Sequence, residues 1–297
     1  MSKQDIPYLQ SLLCQALGTS ITFQHIRPLK RTPVYTTALV ETEKRRFFIK
    51  YGPAKAYDLL AAEADGLQAI ADTDSFKTPD IQALSRTESS GLLVLEYLDL
   101  QPLSSAEEGS LFAEKLTQLH QFHSERFGWH QDNYLGLSSQ HNAWQINWAR
   151  FFITSRLTPQ LQKAYQQGYR TPLHTLAERI LPRAPALFLD YRIQPSLLHG
   201  DLWYGNTGVT TDGQLAVFDP ACYYGDTEAE LALAELFGGF PSSFYAGYFR
   251  LNPPAPGSEY RKLLYRLYHI LNHLNLFGST YLREAETLLK KLDQILI

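Results

Sequence analysis

Hydrophobic and polar positions along this chain follow two different periods, and the change from one to the other divides it. In "IPYLQSLLCQALG" the residues Ile6, Leu9, Leu13 and Leu17 recur near helical spacing and Gly18 can take a left-handed closing conformation, so a short opening helix is expected. "ITFQHIRPL", "VYTTALVET" and "RFFIKYG" are rich in β-branched and aromatic residues between polar breaks, which predicts three antiparallel strands. "AKAYDLLAAEADGLQAIADT" returns to the helical period, with Tyr57, Leu60, Ala61, Ala64, Leu67 and Ile70 on one face. "KTPDIQALSR" and "GLLVLEYL" follow as strand-like segments around a polar turn. "DLQPLSSAEEG" has the Pro, Ser and acidic residues of a connector that leads into a helix amino terminus.

Beyond the connector the helical period dominates. It runs through "SAEEGSLFAEKLTQLHQFH", "WQINWARFFITSRLTPQLQKAYQQG", "LHTLAERIL", "LALAELFG", "LLYRLYHILNHLNLF" and "YLREAETLLKKLDQIL". Strands are expected there only at "SLLHGD", "LAVFD" and around the turn "TDGQ". The expected fold class is α+β and bilobed: residues 1–97 form a small antiparallel-sheet lobe with one main helix, and residues 98–297 a larger, mostly helical lobe. No internal repeat or low-complexity segment interrupts this order.

Composition narrows the partners. A formal net charge of −3 argues against a general nucleic-acid binder, which would need clustered Lys and Arg to neutralise phosphates. The one compact basic run, "EKRR", reads as a hairpin turn. Cys14 and Cys222 lie far apart, without a disulfide framework or a C-x-x-C pair, so a reducing cytoplasm is the expected location. "MSKQDIPYLQ" lacks the apolar core of a secretory signal, and no apolar run approaches the roughly 20 residues that span a bilayer. A soluble protein with no membrane partner is expected.

The candidate chemistry centres on "LLHGDLWYGN". Asp201 and Asn206 form a D-x-x-x-x-N loop, and "AVFDPA" supplies Asp219 across a predicted hairpin. Phosphoryl transfer from ATP needs a carboxylate to orient and deprotonate the attacking hydroxyl, together with oxygen ligands for a magnesium ion that bridges the phosphates. Asp201 fits the first role, and Asn206 and Asp219 fit the second. Lys50 closes the strand "RFFIK", where its ammonium could meet ATP phosphates, and Glu63 lies on the next helix, where its carboxylate could hold that lysine. The strand "LVLEYL" runs into the connector where adenine would bind backbone groups, with Glu96 and Leu98 as contributors.

Other positions carry two readings. His199 can be a satisfied core histidine, and Asp226 with Glu228 can either cap the following helix or contact substrate. His120, His123 and His130 have no Cys partners and no H-E-x-x-H pattern, so a zinc site is not expected; His120 reads as a helix histidine packed near the loop. Cys222 reads as a small buried residue. The segment "RPLKRTPVYTT" holds no glycine, although a loop covering phosphates usually relies on glycine for close backbone approach, so Arg31 to Tyr35 either covers them with side chains or a different turn or binds nucleotide poorly.

Together these residues resemble the fructosamine kinase family, which belongs with the aminoglycoside and choline phosphotransferases in the protein-kinase-like fold. "HGDLWYGN" looks like that family's H-G-D-L-W-x-G-N. "FDPACYYGDTEAELALAELFGGF" is similar to its D-P-A-x-Y-x-G-D-x-E-x-E-L-A stretch, "FGWHQDNYLG" and "WQINWARFFITSRLTPQL" resemble two further segments, and "LLAAEADGLQAI" its lysine-partner helix. The resemblance covers nearly the whole chain. It implies that Asp201 is the base, that Asn206 and Asp219 hold magnesium, and that Lys50 with Glu63 positions the phosphates of ATP. It further implies phosphorylation of the 3-hydroxyl of ketosamines, as small molecules or on glycated proteins, after which the adduct falls apart and frees the amine. Trp203 fits as a flat apolar wall beside a sugar ring, with Tyr204 and Asp226 as further contacts. Two alternatives stand beside this reading: a phosphotransferase with an amino-alcohol or aminoglycoside acceptor, and a pseudokinase that binds without transfer.

Overall fold

The computed structural model describes residues 5–296, so residues 1–4 of the stretch expected to lack a secretory signal lie outside the described residues. Its contacts divide the chain into two units. One runs from the amino terminus to Gln101 and includes Val209–Asp219; the other comprises Pro102–Gly208 and Pro220 to the carboxy terminus.

The first unit is built on a five-stranded antiparallel sheet in the order β1-β2-β3-β5-β4. Its elements are α1 (Asp5–Leu17), β1 (His25–Arg31), β2 (Thr36–Glu41), β3 (Arg46–Pro53), α2 (Tyr57–Ala71), β4 (Ile81–Arg86), β5 (Ser90–Glu96) and the short β6 (Leu100–Gln101). Leu9, Leu12 and Leu13 of α1 pack on Ala38, Val40, Phe47, Ile49, Leu92 and Val94. Because strand side chains alternate between faces, Lys50 points away from that cluster. There it meets α2, where Leu60, Glu63, Ala64 and Leu67 are buried. Cover on both faces explains why β5 reads as an unbroken apolar run rather than an alternation.

The expected first strand starts later than its apolar pattern suggests, at His25, because Ile21 and Phe23 pack on the α1 cluster instead of joining the sheet. Strand β1 lies at the sheet edge, where Pro28 and a register shift between Pro28 and Lys30 are tolerated.

The second unit contains α3 (Ala106–His120), a small hairpin of β7 (Asn133–Leu135) and β8 (Ser138–Gln140), α4 (Trp148–Phe152), α5 (Thr158–Ala164), α6 (Arg170–Ile180) and β9 (Ser196–Leu198). After it come β10 (Thr207–Thr210), which crosses into the first unit, and β11 (Leu215–Val217) within that unit. Then follow β12 (Tyr223–Gly225), α7 (Thr227–Phe237), α8 (Ser242–Leu251), α9 (Ser258–Phe277) and α10 (Leu282–Ile295). The connector ends as its composition predicts. Ser105 accepts from Glu108 N at 3.1 Å, and Glu108 Oε2 accepts from Ser105 N at 2.7 Å, a reciprocal cap that starts α3.

Three features depart from the expected order. The hairpin 209–219 groups with the sheet unit, and that unit extends to Gln101 instead of ending at residue 97. The reason is non-local pairing: β10 pairs with β6, and Lys77 exchanges backbone hydrogen bonds with Leu215 and Val217. The long helix expected over 144–168 begins at Trp148, capped by Asn147, and is interrupted by π-helical turns at 153–157 and 165–169. The hairpin β7–β8, strand β12 and helix α8 fell in stretches with no expected element. No helix among the described residues is long and apolar enough to cross a membrane.

His269 on α9 links this packing to pH. It is 5% exposed, its Nδ1 has no hydrogen-bond partner among the described residues, and burial, helped by His273 and Arg156, lowers its pKa to about 3. The folded protein therefore binds fewer protons here than the unfolded chain. The stabilisation is complete above the ordinary histidine range and is lost as pH falls toward the folded value. Urea unfolding at pH 7.5 and pH 5 is expected to show wild type losing roughly 2 kcal/mol more than His269→Phe. Equal losses would remove His269 as the cause.

Candidate active site

In the sheet unit the site is an ion triad. Lys50 Nζ lies 2.7 Å from Glu63 Oε2 and 2.6 Å from Asp219 Oδ1, and Lys50 is only 2% exposed. Strand β3 supplies the lysine, the buried face of α2 the glutamate, and the end of the β10–β11 hairpin the aspartate. Burial alone would strip the proton from Lys50, but Asp219 and Glu63 outweigh it and hold the pKa well above the usual lysine range. Burial pushes Glu63 up, Lys50 opposes that shift, and Asp219 adds to it. One cation between two carboxylates leaves an excess of negative charge, which suits a site that also receives a divalent metal.

Asp219 is the exposed member of the triad and could meet such a ligand. Its φ of +56° is left-handed, a conformation Asp tolerates better than most residues, and its side chain is 46% exposed. Glu96 is held at the end of β5 by Lys77 at 2.7 Å and by its own N–H to Asp80 O at 2.9 Å. Leu98 follows in residues 97–99, which run outside the sheet ladder.

In the helical unit the site is the loop after β9. His199 is fully buried and its carbonyl accepts from Ala221 N at 2.8 Å. Gly200 has φ +82°, and a Cβ there would sit 2.0 Å from Ala221 O, so only glycine fits between His199 and Asp201. Asp201 is half-buried; its carbonyl accepts from Asn206 Nδ2 at 2.9 Å. That bond turns the Asn206 amide so that Oδ1 is the atom left to meet a ligand. A carboxylate and an amide oxygen are hard donors of the kind magnesium takes.

The loop is braced from below by a residue that sequence reasoning passed over. Glu230 on α7 accepts from His199 N and Gly200 N, each at 2.8 Å, and its Oε2 lies 3.2 Å from His120 Nε2. Burial acts to raise its pKa, but the hydrogen bond and charge of His120 prevail and lower it, so Glu230 is a carboxylate. His120 Nε2 then donates to Glu230, and its Nδ1 pairs with Tyr248 OH at 2.7 Å. His120 is thus packed beneath the loop, as its helical context suggested. The available signal for Glu230 was a carboxylate set among the buried residues Ala229, Leu231, Ala232, Leu233 and Ala234 of α7.

Two of the expected substrate contacts have partners within the protein. Asp226 is 1% exposed and caps α7: Oδ1 accepts from Glu228 N at 3.0 Å and from Tyr191 OH at 2.9 Å, and Oδ2 accepts from Tyr265 OH. Both oxygens are engaged inside the unit, which favours the cap among the two readings of Asp226. Tyr204 donates its hydroxyl to Leu103 O at 2.9 Å and packs on Phe240, contacts that anchor the loop. Trp203, by contrast, is 40% exposed two residues from Asp201, lies over Gly205, and meets Phe237 edge-on at 6.4 Å. Phe237 in turn packs on His273 at 4.7 Å, which extends an aromatic strip away from the loop. Cys222 is buried, as expected, and Cys14 is half-buried; neither is in a disulfide.

Known proteins are similar over most of this length. The sequence profile of the fructosamine kinase family matches residues 6–295. A probable ketoamine kinase of Synechocystis is 40% identical over 254 residues, 85% of this chain and 84% of its own. The ketosamine-3-kinase of Mus musculus is 34% identical, covering 86% of this chain and 90% of its own. A solved Haemophilus somnus structure described as a fructosamine-3-kinase superposes with a TM-score of 0.86 at 29% identity, over 96% of both chains. With its profile match running almost from end to end, the chain belongs to the fructosamine kinase family.

Proposed function

We propose that this protein transfers the γ-phosphoryl group of ATP to the 3-hydroxyl of ketosamines, including ribulosamine, erythrulosamine or fructosamine adducts on lysine or on proteins. The observation that carries the transfer is the triad of Lys50 with Glu63 and Asp219, in which a buried lysine is kept charged and positioned beside an exposed carboxylate, the pair of groups that ATP phosphates and their metal ion call for. The acceptor class rests on family membership and on the names of the similar kinases of mouse and Synechocystis.

In this reading Asp201 accepts a hydrogen bond from the attacking hydroxyl and takes its proton as the phosphoryl group departs from ADP. Lys50, oriented by Glu63, contacts the phosphates of ATP. Backbone groups of Glu96 and Leu98 hold the adenine. Asn206 Oδ1 and the Asp219 carboxylate would hold magnesium, which when bound neutralises phosphate charge. Trp203 offers its exposed ring to the apolar face of the sugar. That neither cysteine is in a disulfide suits a reducing cytoplasm.

The test is magnesium-dependent transfer from ATP to ribulose-lysine, erythrulose-lysine and fructose-lysine, with phosphorus NMR to locate the phosphate. Product at the 3-hydroxyl is expected. Transfer to choline or aminoglycosides alone would replace the acceptor class, and ATP binding without transfer to any acceptor would leave a non-catalytic protein.

A further inference from the structure

The turn between β1 and β2 has no backbone donor to offer a phosphate. Thr32 N donates to Tyr35 O at 2.9 Å, Pro33 has no N–H, and Val34 N and Tyr35 N donate to Thr32 Oγ1 at 3.2 and 2.9 Å. The Thr32 hydroxyl closes the set by donating to Tyr35 O at 2.8 Å. Residues 32–35 are therefore a self-satisfied turn, and the cradle of free amides that a glycine-rich loop provides is absent from it.

A glycine outside the turn, on β3, instead lets the turn pack closely on the sheet. A Cβ at Gly52 on β3 would sit 2.4 Å from Val34 O, 3.0 Å from Ala56 Cβ and 3.2 Å from Tyr35 Cα. Gly52 is two residues from Lys50, so the turn settles on the same part of the strand. This lays the half-buried Tyr35 ring with its centroid 5.5 Å from Lys50 Nζ. The Tyr35 hydroxyl makes no hydrogen bond among the described residues, while Lys50, Asp219 and Glu63 are its charged neighbours.

We propose that Tyr35 is the phosphate-covering group of this chain: with a nucleoside triphosphate bound, its hydroxyl donates to a phosphate oxygen and its ring screens Lys50 and the phosphates from water. This rests on the reading of Lys50 as the phosphate contact. It replaces several backbone donors by one side chain held in place by the Thr32 turn and by the space at Gly52.

The experiment compares wild type, Tyr35→Phe, Tyr35→Ala and Lys50→Met. Calorimetric titration uses magnesium with a non-hydrolysable ATP analogue and, separately, adenosine; steady-state kinetics give KM for ATP and for the acceptor. Tyr35→Phe is expected to weaken the ATP analogue about tenfold, the effect of one hydrogen bond to a charged oxygen, with adenosine binding and acceptor KM unchanged. Tyr35→Ala, which also loses the ring, is expected to weaken it further and to raise ATP hydrolysis in the absence of acceptor. Wild-type ATP affinity in both Tyr35 variants, with Lys50→Met impaired, would overturn the role of Tyr35 and leave the nucleotide site standing. Equal loss for ATP and adenosine would also overturn it, as general damage to the sheet. Wild-type affinity in Lys50→Met, or no ATP binding by the wild type, would overturn the reading of the site and this inference with it.

Discussion

Replacing Asp201 by Asn is expected to lower kcat about a thousandfold, the usual scale for loss of a positioned general base, while the affinity for an ATP analogue and the melting temperature stay near wild type. Steady-state kinetics, calorimetry and a thermal melt measure the three quantities on one preparation. Their separation follows from where Asp201 sits. Main-chain bonds tie Asp201 into the loop: its carbonyl accepts from Asn206 Nδ2 and from Trp203 N, and its own N–H reaches His199 Nδ1 at 3.3 Å. Asn is isosteric and keeps those bonds, but it cannot take the proton of an attacking hydroxyl. A loss in kcat with unchanged binding is the signature of a group acting in the chemical step. Unchanged turnover would refute the assignment, and a matching fall in melting temperature would mean that the loop had been damaged instead.

The parts of this architecture that were legible in the sequence are those decided over short separations. Lys50 and Glu63 stand on adjacent elements, and the strand period of one with the helical period of the other predicts that their side chains can meet, as they do at 2.7 Å. Asp201 and Asn206 share one turn, and their spacing alone indicates a loop that can tie its own ends together.

What was not legible depends on partners that arrive from far along the chain. Asp226 reads equally as a cap or a contact until Tyr191 and Tyr265 are seen to occupy its oxygens. Tyr204 looks available until Leu103 O takes its hydroxyl. The hairpin 209–219 groups with a sheet more than a hundred residues earlier because β6 and Lys77 complete its ladder. Helix α8 was missed for a related reason. Its buried residues Phe244, Gly247 and Tyr248 mix aromatic and small side chains, so its periodicity is weak without the facing helix α3. The glycine-free turn is the reverse case. Its composition argues against a backbone phosphate cradle, and that Gly52 on another strand lets the turn settle beside Lys50 is not legible from the turn itself.

Glu230→Ala tests whether the loop holds its shape by itself. The carboxylate accepts both amides that precede Asp201, at 2.8 Å each, and meets His120 at 3.2 Å. Removing it leaves the N–H groups of His199 and Gly200 and the Nε2 of His120 without their acceptor in a region closed to water. Orphaning one buried donor costs about 1–3 kcal/mol, more where the acceptor lost was charged, and three donors converge here. A loss on the order of 4 kcal/mol is therefore expected, which lowers Tm by roughly 6 °C in a protein of this size. Turnover should fall as well, because Asp201 is carried on the same loop, and KM for ATP should change little. Glu230→Gln is a finer probe: its amide nitrogen adds a donor where three donors already converge, so it should recover only part of the stability. Because the pKa of Glu230 is depressed in the folded state, the stabilisation it gives is present above the ordinary glutamate range and is lost as pH falls through the folded value. The gap in stability between wild type and Glu230→Gln should accordingly narrow in acid. A variant that melts and turns over like wild type at neutral pH would show that the loop is braced elsewhere, and a gap that does not narrow in acid would show that the charge of Glu230 is not what braces it.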